Sequence, residues 1–420
     1  MTVRKSLTAV VVWSVISAAF IGPGTVTTAA SAGALHQLDL LWAVVFSTAA
    51  CLVLQELSAR LTIVSGLSMG QAILKKHGEQ RGRWLNGWLG GPVILGCAAY
   101  EAGNILGAVS GLQLMLNGDT ALLTVLVTVV VVLVLWTDRR EAIGWIMTAL
   151  VATMGIAFAV LAYGRPFTWQ EYVQAATIPH IPAGGELLAL GLVGTTIVPY
   201  NVFLGSAVSK GQTLRLMRIG LSISVVIGGL ITMAILLAGT AVGSFGSFEE
   251  LSLALQSSLG PLGAWALGAG LFAAGFSSAI TSPYAASIIA SSVFGWSEAR
   301  RRATWMFVVL AGFAVGISGV RPIPVILLVQ ALNGLVLPLL TAYLILLLND
   351  PDVTPADHRP AALYNGLLVF IFASVLVMGL HSIDKSLSAW LALPQGHLEW
   401  IAGITFLITG GLAYRLIRRS

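Results

Sequence analysis

The chain has 420 residues, of which 57% are hydrophobic and only 9% charged. Soluble domains carry about 25% charge, so this composition excludes a water-soluble globule, and a soluble enzyme with it, and leaves lipid as the solvent. The net charge of +5 would suit nucleic acid only if it were gathered on one surface, and it is not.

The first apolar stretch, 8–34, follows Arg4 and Lys5 and runs through Gly22-Pro23-Gly24. Its basic start is like that of a signal peptide, but the run continues past the proline, and its removal would invert the charge pattern described below. Further apolar stretches follow at 40–64, 92–116, 121–136, 142–163, 187–209, 219–242, 262–294, 303–319, 323–347, 361–380 and 398–414. Each is close to the roughly 20 residues that cross a bilayer. In lipid the backbone must satisfy its own hydrogen bonds, which predicts twelve helices. Cys51 and Cys97 fall inside two of them and read as small buried residues. No soluble domain is visible between them. The longest connections are 164–186 and 243–261 on one side and 348–360 on the other.

Twelve helices place both termini on one side. All 22 Lys and Arg fall on that side except Arg165, Arg321 and Lys385. Positive charge marks the cytoplasm, so the expectation is a multi-pass protein of the inner (plasma) membrane with both termini cytoplasmic.

Two stretches carry matching interruptions. Ile21-Gly22-Pro23-Gly24-Thr25 and Ile197-Val198-Pro199-Tyr200-Asn201 share the pattern I-x-P-x-[TN], each in the middle of its stretch. Proline removes an N–H and clashes with the carbonyl four residues back, so both helices should break there. They open two five-helix units, 8–163 and 187–347, with two additional helices in 361–414. The odd helix number gives the second unit inverted topology. Paired interrupted helices at equivalent places point to a transporter site at mid-depth. Each break should free N–H groups after Gly24 and Tyr200, which suit anions, and carbonyls near Gly22 and Val198, which suit cations. Gly103, Gly107 and Gly111, and Gly268, Gly270 and Gly275, lie within apolar helices and read as packing positions, not as a nucleotide loop.

The segments around these breaks resemble those of the Nramp family of proton-coupled divalent-metal transporters, over nearly the whole chain. Gly22-Pro23-Gly24-Thr25 is similar to the family's D-P-G-N, and Thr195 to Asn201 to its A-x-x-M-P-H-N. Phe276 to Ala285 is similar to its Q-S-S-T-I-T-G-T-Y-A. Glu101 and Asn104 on the third helix, and Gln330 on the tenth, fall where the family has polar residues. The fold implied is an all-α, LeuT-like inverted-repeat fold, five plus five helices plus two, with helices one and six broken. The departures fall on the metal site. The family's Asp and Asn are here Gly22 and Thr25, its Met is Val198, its Ala ligand position is Thr195, and the following His is Tyr200. On the third helix its proton-pathway Asp is Ala98, with the companion acid retained as Glu101.

Carboxylate and thioether ligands replace the waters of a transition ion, and the thioether selects it over Ca²⁺ and Mg²⁺. Without them the first expectation is a small organic solute, a carboxylate for example, moved by alternating access. Its site would comprise Gly22, Gly24, Thr25, Thr28, Thr195, Thr196, Val198, Tyr200, Asn201 and Gln330, with no side-chain metal ligand. The second is a proton-coupled importer of divalent cations, Mn²⁺ or Mg²⁺, with an unusual site. Glu101 reads either as the proton relay, because intramembrane acids are costly, or as the buried partner of Arg301 or Arg302. Glu56 reads as the i,i+4 partner of Arg60. Ser277, Ser278 and Thr281 are the candidates for a Na⁺ site. No motif calls for a cofactor. A membrane enzyme lacks a clustered catalytic set. The partners expected are the bilayer, a solute or ion, and a coupled H⁺ or Na⁺, with the protein acting as a monomer.

Overall fold

The computed structural model describes residues 3–116, 118–137, 139–319, 336–391 and 397–418. Among them the ordered elements are helical. The first span is α1 (Val3–Phe20) followed by α2 (Pro23–His36), bent by 62° at Ile21-Gly22. Pro23 occupies the first turn of α2, where its missing N–H costs nothing, and Gly22 precedes it in an extended conformation. Next come α3 (Leu41–Ser65), the short α4 (Met69–His77), α5 (Glu79–Leu116), α6 (Thr120–Trp136) and α7 (Arg140–Ala162). A short α8 (Trp169–Thr177) lies in the long connection that follows.

The sixth span is α9 (Glu186–Thr196) and α10 (Pro199–Ser209), interrupted at Ile197-Val198. The two together still read as one 24-residue span, so this break is gentler than the first. The rest is α11 (Leu214–Gly239), the short α12 (Phe248–Leu259), α13 (Pro261–Ser292), α14 (Glu298–Gly316), α15 (Val336–Leu348), α16 (Ala362–Leu391) and α17 (Leu398–Ile417). Eight helices are long and apolar enough to cross a membrane, nine with the bent pair. Of the other three predicted spans, α6 has 17 residues and α14 opens on Glu298 and three arginines. The tenth, 323–347, is described only from 336.

The main difference from the sequence-based boundaries is the third span. It begins at Glu79 rather than near 92 and carries Pro92 inside it. Hydropathy marks the lipid-facing length, whereas the helix continues as a polar extension past the membrane surface. Membrane helices tolerate an internal proline because neighbours re-satisfy the freed groups.

The centre of the bundle is the contact between α5 and α13, and glycine makes it close. A Cβ at Gly111 would meet the backbone of Phe272, and one at Gly275 the backbone of Ala108. A Cβ at Gly107 would strike the ring of Pro23, so the same helix seats the first turn of α2. Gly270 instead faces Phe158 of α7. Toward the end that carries the basic loops, Glu56 of α3 accepts from Arg60 at 2.7 Å, from Arg218 of α11 at 2.9 Å and from the Tyr364 hydroxyl of α16 at 3.1 Å. The pairing expected for Glu56 is therefore present, within a larger junction of three helices.

Candidate functional site between the two broken spans

The two interruptions meet. The Tyr200 hydroxyl, one residue past the second proline, donates to the Ala19 carbonyl at 2.8 Å. Beside this bond lies a cavity of about 30 Å³, lined by Ala19, Phe20, Gly22, Gly24, Thr25, Tyr100, Asn104, Thr195, Val198, Tyr200 and Ser278. It has room for about two waters. Six of the predicted site residues line it: Gly22, Gly24, Thr25, Thr195, Val198 and Tyr200. Thr28, Thr196 and Asn201 are buried nearby but do not line it. Gln330 lies outside the described residues.

The carbonyls at the end of α1 are not naked, contrary to expectation. Ala18 accepts from Ser277 at 3.2 Å and from Ser278 at 3.3 Å, Ala19 from Tyr200, and Phe20 from Thr25. Hydroxyls from three other helices thus take the donors' part that a continuing helix would have played. Each hydroxyl that gives its proton away keeps lone pairs that can accept, so the oxygen-rich character of the break passes from carbonyls to hydroxyls. At the second half of each span the carbonyls of Gly22 and Val198 accept from the Val26 and Asn201 amides, and neither residue caps its helix with a side chain. Thr195 and Thr196 both donate to Leu192, and Ser47 donates to Thr196 at 3.1 Å.

Of the three sodium-site candidates only Ser278 faces the cavity. Thr281 donates back to Ser277 at 3.1 Å, the usual use of a hydroxyl in a membrane helix. Asn201 is fully buried, and neither its amide oxygen nor its nitrogen has a hydrogen-bond partner. Sequence reasoning placed it in the pocket, and it is not among the residues that line the cavity.

Glu101 is fully buried on α5. Asn104 donates to its Oε2 at 3.3 Å, and Oε1 has no hydrogen-bond partner. The alternative of a basic partner fails, because Arg301 and Arg302 are held by Glu298 at 2.6 and 3.1 Å. Gly312 lets α14 lie directly on this carboxylate: a Cβ there would come within 2.5 Å of Glu101 Cγ. Tyr100, next to Glu101, stands edge-on to Tyr200 with ring centroids 5.9 Å apart. Four lining residues were not assigned to the pocket from sequence: Ala19, Phe20, Tyr100 and Asn104. The first two lie just before the first break, and the signal for the other two was proximity to a lone intramembrane acid. No cluster of three His, Cys, Asp or Glu that could hold a metal occurs among the described residues.

This arrangement of elements has counterparts. The manganese transporter of Eremococcus coleocola, solved in complex with an aromatic bis-isothiourea substituted compound, superposes with a TM-score of 0.78 at 19% identity. The match covers 99% of this chain and 95% of that one, and the fold is the LeuT-like inverted-repeat fold. The divalent metal cation transporter MntH of Caldanaerobacter subterraneus subsp. tengcongensis is 26% identical over 387 residues, 86% of this chain and 90% of the relative. The protein of the same name from Verminephrobacter eiseniae is 27% identical over 403 residues, covering 88% and 89%. The family described as natural resistance-associated macrophage protein-like matches residues 14–383. The chain belongs to the Nramp family.

Proposed function

We propose that the protein moves a divalent metal cation, Mn²⁺ or Mg²⁺, across the inner membrane by alternating access, with the cavity between the broken spans as its site. The observation that carries this reading is the cavity itself: about 30 Å³ in volume, with side-chain oxygens of Thr25, Tyr100, Asn104, Thr195, Tyr200 and Ser278 among its lining residues, and placed between the interrupted helices of a family whose relatives are named as divalent metal cation transporters. The relatives' names speak against an organic solute, the first expectation from sequence.

The lining offers neutral oxygens and no carboxylate or thioether. Such donors are hard, so they discriminate weakly in favour of soft transition metals. An ion held by them keeps part of its water shell, as Mg²⁺ does by habit. Glu101, which Asn104 separates from the cavity, is the group that takes the coupled proton. The basic loops set the termini in the cytoplasm. The units 8–163 and 187–347 rock about the site as a monomer, and α16 and α17 flank them.

Reconstituted liposomes test this. With a proton gradient, the protein is expected to admit Mn²⁺, read by quenching of an internal dye, or Mg²⁺, read by an internal indicator. Glu101→Gln is expected to remove the pH dependence of that uptake. Entry of neither ion, together with thermal stabilisation by a small carboxylate, would return the reading to an organic solute. A requirement for Na⁺ in place of the proton gradient would move coupling from Glu101 to the hydroxyls of α13.

A further inference from the structure

At Gly22, one of the positions where the family's ligand side chain is missing, the space has been filled from elsewhere. A Cβ built on Gly22 points at Ser278 Oγ, 2.8 Å away, and at Asn104 Oδ1, 3.8 Å away. Both residues line the cavity and both are more than nine-tenths buried. They therefore stand in the volume that a side chain at position 22 would enter, and they come from α13 and α5, not from either broken span.

Their hydrogen bonds set which atoms face the cavity. Ser278 donates its proton to Ala18, which leaves lone pairs on Oγ. Asn104 donates through Nδ2 to Glu101 Oε2 at 3.3 Å. With its nitrogen engaged by Glu101, the amide presents Oδ1 on the side of Gly22. The amide thus stands between the Glu101 carboxyl group and the cavity.

We propose that Asn104 Oδ1 and Ser278 Oγ are the cation ligands that replace the absent side chain at Gly22, with Glu101 as the residue that orients Asn104. This assignment rests on the cation reading above and names the donors of the same site. The site takes a partly hydrated hard divalent cation through an amide and a hydroxyl, with Glu101 one hydrogen bond further back.

The test is uptake and thermal stabilisation with Mn²⁺ and with Mg²⁺ for the full-length protein and three variants. Asn104→Ala is expected to raise the half-saturating cation concentration on the order of tenfold or more with a smaller change in maximal rate. Ser278→Ala should move it in the same direction. Asn104→Asp keeps the oxygen and adds charge, so it should lower half-saturation for Mn²⁺ and widen the preference for Mn²⁺ over Mg²⁺. Unchanged half-saturation in Asn104→Ala and Ser278→Ala, with wild-type uptake intact, would overturn the assignment and leave the cation reading standing. Wild-type protein that neither moves nor is stabilised by either ion would overturn both. Should Asn104→Ala fail to fold, the near-isosteric Asn104→Asp decides: a half-saturation equal to wild type for both ions counts against the assignment.

Discussion

Ser278 and Gly22 are a matched pair. The serine hydroxyl occupies the space that any side chain at 22 would need, and it is also bonded to Ala18. Gly22→Ala is therefore expected to destabilise the protein by about 1–3 kcal/mol through overpacking, and Ser278→Ala in the same chain should recover much of that loss. A double-mutant cycle on thermal midpoints in detergent measures it, and additivity of the two changes would contradict the pairing. Position 22 was legible in the sequence as a departure from the resemblance. What fills it was not. Asn104 and Ser278 lie some 80 and 250 residues further along the chain, and only the register of α5 and α13 against the first break brings them there. Thr25, Thr195 and Tyr200 line the cavity from positions near the two prolines, whereas Asn201, equally close in sequence, does not; one residue on a helix turns a side chain by about 100°.

At the scale of helices, the glycines divide into two kinds. Gly111 of α5 faces backbone of α13, where nothing can yield, whereas Gly96 on the same helix has open space around its missing Cβ. Gly111→Ala is expected to lower stability by about 1–3 kcal/mol or to prevent folding. Gly96→Ala should be neutral or stabilising by about 0.5–1 kcal/mol, because glycine within a helix is entropically costly. Thermal midpoints of the purified variants check this, and equal losses at both positions would refute the distinction. Spacing by four identified Gly107 and Gly111 as packing positions, and the structure adds their partners. The sequence was weaker on helix ends. The extension of α5 back to Glu79 was hidden because polarity, not helix formation, changes near residue 92. The short α8 and α12 were hidden because neither is long or apolar enough to register as a span.

For the whole molecule, the helical membrane character was readable because lipid imposes simple rules on length and charge, and the inverted-repeat fold was readable through the paired prolines and the resemblance. The inter-helix junctions were not, since a single sequence does not say which helices touch. Glu56 is the clearest case. Its expected partner four residues away accounts for one of three contacts, and the others come from α11 and α16. Glu56→Ala leaves two guanidinium groups without their acceptor and is expected to cost about 1–3 kcal/mol, more than Tyr364→Phe, which removes one hydroxyl. Denaturation midpoints in detergent compare them, and a larger loss for Tyr364→Phe would show that the carboxylate is not the hub.

The two interruptions differ in shape: the first is an elbow of 62°, while the second still leaves α9 and α10 as one span. On the alternating-access reading proposed above, the opposite conformation would carry the larger bend in α9 and α10 and the smaller one in α1 and α2. A pair of spin labels spanning each interruption would then change separation in opposite senses as the protein turns over, one lengthening while the other shortens.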